Sequence, residues 1–189
     1  KSRGDDYNWA VQSILWNSAS DTNMLYLNTT DAQADDTNVF QAAPTSTVFS
    51  PQGGAWAGIG TDDINYISYC FHSVDGYSKI GTYQGNGNND GPFIYTGFQP
   101  AFFLVKKYAT VSGDNWAIYD NKRNEANVMN TQIYPDANST EESSAARNID
   151  FVSNGIKIRG TNSRTNDAST HSFLYMAFAE FPFKTSNAR

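Results

Sequence analysis

The chain has 189 residues and a formal net charge of −6; 39% of residues are hydrophobic, 17% charged and 14% aromatic. The acidic balance lacks the basic footprint of a nucleic-acid binder, so no nucleic-acid partner is expected, and it disfavours an anionic membrane surface. No apolar run approaches the roughly 20 residues of a membrane helix, so no membrane insertion is expected, and the single Cys70 rules out an internal disulfide framework.

The 12 Phe and 11 Tyr suit half-buried pleated surfaces, and Thr, Ser, Asn, Asp and Gly fill the gaps between apolar runs, as many short turns require. Alternation predicts strands at 7–15, 23–27, 46–50, 64–72, 77–83, 92–96, 101–108, 115–119, 131–134, 149–153, 156–159 and 171–180. Such closely spaced strands predict an all-β fold of the sandwich, jelly-roll or barrel kind. Short helical turns are expected near 30–36 and 139–146, where Thr or Ser is followed by Asp or Glu. Cys70, inside an apolar run, reads as a small core residue.

The stretch 84–91 is a turn-rich loop whose glycines supply positive φ. It lacks the Lys-Ser/Thr ending of a phosphate cradle. Asp75 and Asp90, with Asn side chains nearby, offer the oxygen ligands that calcium takes, although solvated turn residues are the plainer reading. No other cofactor is expected, because His72 and His171 are the only histidines and no zinc spacing exists.

An internal repeat is the strongest signal. Asn8-Trp9-Ala10-Val11 recurs as Asn115-Trp116-Ala117-Ile118, and Tyr66–Phe71 matches Phe173–Phe178, both at an offset of 178 − 71 = 107. Between these anchors Tyr26-Leu27-Asn28-Thr29-Thr30 resembles Tyr134-Pro135-Asp136-Ala137-Asn138-Ser139-Thr140. The repeat divides the chain into a first β-unit at 1–83, a Gly/Asn-rich connection at 84–96, a second unit at 97–183 and a tail at 184–189, together one compact domain. Lys1 aligns near Lys106, so the first unit is expected to lack its opening strand, with the edge beside 7–15 covered by upstream chain or a neighbour.

The repeat also separates packing residues from candidate binding residues. Trp9 and Trp116 occupy matching places and read as core. Trp16 and Trp56 have no aromatic twin, their counterparts being near Arg123 and Arg159. Flat aromatic faces stack on sugar rings and anchor interfaces. Trp56 lies in the small-residue run Gly53-Gly54-Ala55-Trp56-Ala57-Gly58, and Asp62 and Asp63 follow as acceptors for hydroxyl groups. Trp16, Trp56, Asp62 and Asp63 are therefore the candidate ligand-binding residues. No catalytic constellation stands out: Glu141 and Glu142 are adjacent and point apart, and no Gly-x-Ser-x-Gly elbow is present.

The run Asp75-Gly76-Tyr77-Ser78-Lys79-Ile80-Gly81-Thr82-Tyr83, then Gly85-Asn86-Gly87, Asp90-Gly91-Pro92-Phe93, Thr96-Gly97-Phe98-Gln99-Pro100 and the closing Ala177-Phe178-Ala179-Glu180-Phe181-Pro182-Phe183 carry a family likeness. Together they resemble a domain of tail-associated and other structural proteins of bacteriophages, many of them marine. The resemblance spans nearly the whole chain and implies a lectin-like jelly-roll or concanavalin-like sandwich on the exterior of a virion, with no catalytic residues to transfer. The expected function is non-enzymatic: a tail-fibre or tail-tip module recognising a host-surface glycan, oligomeric and in contact with other virion proteins. A purely structural head or tail component is the first alternative, and the carbohydrate-targeting domain of a depolymerase the second.

Overall fold

The computed structural model describes residues 1–4, 6–15, 22–52, 59–109, 113–168 and 171–183. The chain is all-β and forms two compact units, Lys1–Cys70 and Phe71–Arg189.

Unit 1 contains β1 (Ala10–Val11), β2 (Asn23–Tyr26) and β3 (Ala34–Asp35) in one antiparallel sheet with β2 central, and a separate pair, β4 (Phe40–Ala42) with β5 (Ser50–Pro51). Met24, Val39, Phe40 and Ile59 form its small core, with Ala10, Tyr26 and Tyr66 packed against them. The helical turn expected near 30–36 is replaced by β3, because Ala34 and Asp35 pair with Met24 and Asn23. The strand expected at 64–72 is reduced to one bridge, Ser2 with Tyr66, and Ile67–Cys70 is extended but unladdered. Cys70 is therefore exposed rather than in the core. The reason is physical: alternation identifies which face of a strand is apolar, but a ladder also needs a neighbour for its backbone groups.

Unit 2 contains β6 (Ser78–Gln84), β7 (Phe93–Tyr95), β8 (Pro100–Lys107), β9 (Ala117–Asp120), β10 (Thr131–Gln132), β11 (Glu142–Ser143), β12 (Ile149–Val152), β13 (Gly155–Ile158) and β14 (Ser172–Ala179). One sheet runs in the order β6-β14-β8-β9 and another in the order β12-β13-β7, all pairs antiparallel. Strand β6, which the repeat boundaries group with the first copy, pairs along β14. Alternate residues of the first sheet, among them Phe103, Val105, Tyr119, Phe173 and Tyr175, share a core with Ile94, Ile149, Phe151, Ile156 and Ile158 of the second. Each such side chain contributes about 1.5–3 kcal/mol on burial. This is sandwich packing.

Local chemistry sets the connections. Asn166, fully buried, accepts the backbone N–H of Asn86 (2.8 Å) and Gly87 (3.2 Å) and donates to the carbonyls of Asn88 (2.7 Å) and Gly160 (2.9 Å). It thereby shapes the Gly/Asn-rich loop. The turn expected at 139–146 shrinks to a 3₁₀ turn, Ala145–Arg147, because Glu142 and Ser143 pair with Gln132 and Thr131. Glu141 and Glu142 do point apart: Glu141 meets Arg123 at 3.1 Å, and Glu142 meets Arg147. Buried Gln132 donates to Tyr119 Oη at 2.5 Å and accepts from Tyr134 Oη and Arg147 Nε, both at 3.1 Å. Burial pushes the Tyr119 phenol far above its usual range, so it serves as a hydrogen-bonding core residue.

Candidate functional site: an aromatic surface on unit 2

β14 presents Phe173, Tyr175 and Ala177 to the core, so the alternating residue Phe178 projects from the opposite face. Its cross-strand neighbour on β8 is Phe102, and the two rings lie 5.9 Å apart. Phe178 also meets Phe71 at 6.3 Å and Tyr77 at 5.8 Å, both nearly edge-on. Tyr77 in turn stacks on Phe183 at 5.7 Å with 17° between ring planes.

The backbone holds these rings in place. Val74–Ser78 forms a tight turn in which Tyr77 N–H donates to Val74 O at 3.0 Å, and Gly76 there has φ +71°. Ala179 N–H donates to Tyr77 O at 2.9 Å, and Phe183 N–H donates to Gly76 O at 3.0 Å. Phe183 itself has φ 72°, a left-handed conformation that costs a bulky residue roughly 1–2 kcal/mol. The bond to Gly76 and the stack on Tyr77 offset that strain and fix the ring. The aromatic surface is open: Phe71 is 57% exposed, Tyr77 40% and Phe183 58%. Grouped exposed aromatics of this kind mark binding surfaces, whereas scattered ones do not.

Polar groups lie close by in the chain. Glu180 N–H donates to Gln99 O at 2.9 Å. Glu180 and Gln99 line a cavity of about 110 Å³ together with Asn121, Glu125 and Asn127. Amides and carboxylates in this setting donate to and accept from hydroxyl groups.

Of the four residues singled out from sequence as ligand-binding candidates, two are described. Trp16 and Trp56 lie outside the described residues. Asp62 and Asp63 sit on an exposed turn of unit 1, Asp63 with φ 61°. Asp63 lines an open groove of about 460 Å³ with Arg3, Gly4, Ile64 and Asn65. Trp116 is buried, as the repeat suggested, but Trp9 is half-buried and stacks on Tyr69 at 6.1 Å. Asp90 is engaged by Lys157 at 2.6 Å, whose ammonium lowers the carboxyl pKa. Among the described residues, no group of three or more His, Cys, Asp or Glu is placed to hold a metal.

One further ionic cluster is structural in character. Lys107, almost fully buried, contacts Asp114 and Asp167, the latter at 2.8 Å, and His171 Nδ1 lies 2.9 Å from Asp167. Burial alone would lower the Lys107 pKa, but the hydrogen bonds to both carboxylates outweigh it and hold the ammonium above its usual range. For Asp167 burial acts upward, and Lys107 reverses it, keeping the carboxyl below its usual range.

A family model described as "Domain of unknown function (DUF7483)" matches residues 1–182. The chain belongs to this family. The DUF7483 match embraces both compact units and every aromatic residue of the surface except Phe183. No curated protein and no solved structure matches the chain.

Proposed function

We propose that this DUF7483 chain is a non-enzymatic binding module of a bacteriophage virion, on a tail fibre or tail tip, that recognises a host-surface glycan. The cluster of Phe71, Tyr77, Phe178 and Phe183 carries this reading: a water-exposed aromatic surface matches the apolar face of a pyranose ring. Gln99, Asn121, Glu125 and Glu180, which line one small cavity of the same unit, are able to bond hydroxyl groups. The sandwich of unit 2 supports a lectin-like jelly-roll assignment. Trp16, Trp56, Asp62 and Asp63 are proposed as a second contact region in unit 1. Weak sites of this kind gain avidity when several copies are held on one particle.

A glycan-array screen of the purified chain beside Tyr77→Ala and Phe183→Ala tests the proposal. Binding by the parent chain that both folded variants lose supports it, and a parent chain that binds no glycan in any multivalent presentation refutes it. A second reading has support in the same rings: exposed aromatics also fit protein interfaces, so the surface would then dock on another virion protein.

A further inference from the structure

Three details of unit 1 recur in unit 2 at equivalent places. Val11 pairs with Leu25, and Ile118 with Ile133. Trp9 N–H donates to the Asn28 side chain at 2.8 Å, and Trp116 N–H to the Asp136 side chain at 3.2 Å. Arg3 N–H donates to Asn65 O at 2.9 Å, and Tyr108 N–H to Ser172 O at 3.1 Å. The register beside that last bond agrees as well: Ser2 pairs with Tyr66, and Lys107 with Phe173. Lys1, Ser2 and Arg3 thus stand where Lys106, Lys107 and Tyr108 stand.

In unit 2 the place leading up to Lys106 is filled by the rest of β8, Pro100–Val105, which lies between β14 and β9. In unit 1 the counterparts of β14 and β9 are Tyr66–Cys70 and Trp9–Val11. Ile67 N–H donates to Lys1 O at 3.0 Å, so the backbone of Tyr69, two residues on, faces the same side. Among the described residues, no backbone hydrogen bond is made by Ser68, Tyr69 or Cys70. Tyr69 is 64% exposed and reaches across to stack on Trp9. A row of extended, apolar, unpaired residues is a template for strand addition.

We propose that unit 1 is built around a seat for one further β-strand, apolar on alternate residues, antiparallel to Tyr66–Cys70 and running directly into Lys1. Its occupant is fixed by two features of unit 1. Lys1 and Ser2 already hold the last rungs of the seat, in the register of β8, so only a strand continuous with Lys1 enters without displacing them. The side chains flanking the seat, Ile67, Tyr69 and Trp9, call for apolar partners of the kind that β8 supplies with Phe102, Phe103, Leu104 and Val105. Occupation pairs the Tyr69 backbone and places the added strand between Tyr66–Cys70 and Trp9–Val11, as β8 lies between β14 and β9.

The test is to join Pro-Ala-Phe-Phe-Leu-Val, the sequence of residues 100–105, directly before Lys1 and to follow exchange of the Tyr69 amide. The seat predicts slowing of about 100-fold, absent when a Ser/Thr/Asn hexapeptide is joined instead. Unchanged exchange with the apolar strand joined, or equal slowing by the polar one, overturns the proposal. If the fusion precipitates, the same peptide bearing two amino-terminal lysines is added to a chain that starts at Gly4; saturable slowing at Tyr69 supports the seat, and none up to millimolar peptide refutes it. Slowing in the unmodified chain that rises with protein concentration, together with dimer formation, would show that a second copy covers the edge and would overturn the assignment to a strand continuous with Lys1.

Discussion

Replacing Asn166 with Ala removes four hydrogen bonds at once, two accepted and two donated, from a side chain that water does not reach. A net contribution of about 0.5–1.5 kcal/mol for each bond would give about 2–6 kcal/mol. Asn86 and Asn88 are exposed, so water can re-solvate their backbone groups, whereas Gly160 is buried and its carbonyl cannot be so compensated. The expected loss is therefore about 3 kcal/mol. Asn166→Asp keeps an acceptor for the Asn86 and Gly87 amides but sets a buried carboxylate against the carbonyls of Asn88 and Gly160. It should be worse than Ala despite its closer shape. Urea unfolding followed by hydrogen exchange in β8 and β14 reports on unit 2 directly. A loss below about 1 kcal/mol for Asn166→Ala, or an Asp variant more stable than the Ala variant, would refute the reasoning.

Asp136→Asn is expected to stabilise the chain by about 1 kcal/mol at neutral pH. Burial raises the Asp136 carboxyl pKa above its ordinary 3.8, and its Oδ1 is buried with no hydrogen-bond partner among the described residues, so ionisation there costs stability as pH rises. The matching position in unit 1 is already Asn28, and urea titrations at pH 4 and pH 7 should show the gain only at the higher pH. Asp167 behaves oppositely. Its folded pKa is held below 3.8, so the stability it contributes is present above that value and is lost as pH falls through the folded pKa. Asp167→Asn should flatten the acid limb of a stability profile and cost about 1 kcal/mol at pH 7, with solvent screening limiting the effect. Gly155→Ala would place a Cβ 2.3 Å from the Ile94 carbonyl oxygen, so β13 must part from β7. A melting temperature lowered by several degrees is expected, corresponding to about 2 kcal/mol or more.

Much of unit 2 was legible in the sequence because its strands carry both a pattern and a partner. The runs 101–108 and 171–180 became β8 and β14 almost unchanged, with Phe103, Val105, Phe173 and Tyr175 on the inner face as alternation requires. Unit 1 was harder to read. The run 64–72 has the same apolar pattern as 171–180, yet without a strand beside Ser68–Cys70 it forms no ladder, and Cys70 is left exposed. β3 and β11 were missed because two-residue strands leave no periodic trace. The aromatic surface was missed for a different reason. Phe71 and Tyr77 are far in sequence from Phe178 and Phe183, and each reads alone as an ordinary core residue. The available signal was excess: Phe181 and Phe183 continue the aromatic run past the end of β14, where the strand no longer needs them for its core. Lack of a repeat partner singles out Trp16 and Trp56, but it does not detect a surface assembled from Phe and Tyr.

Carbohydrate binding by the exposed rings of unit 2 remains the proposal, and it is open to a direct test. The most direct test is titration of a glycan selected from an array, presented multivalently, against the parent chain and a Tyr77→Ala, Phe183→Ala double variant whose β8 and β14 exchange is unchanged. The account predicts binding by the parent chain and a loss of at least about 10-fold in the variant, the equivalent of one lost stacking contact of about 1.4 kcal/mol. Binding of equal strength by the folded variant would contradict it.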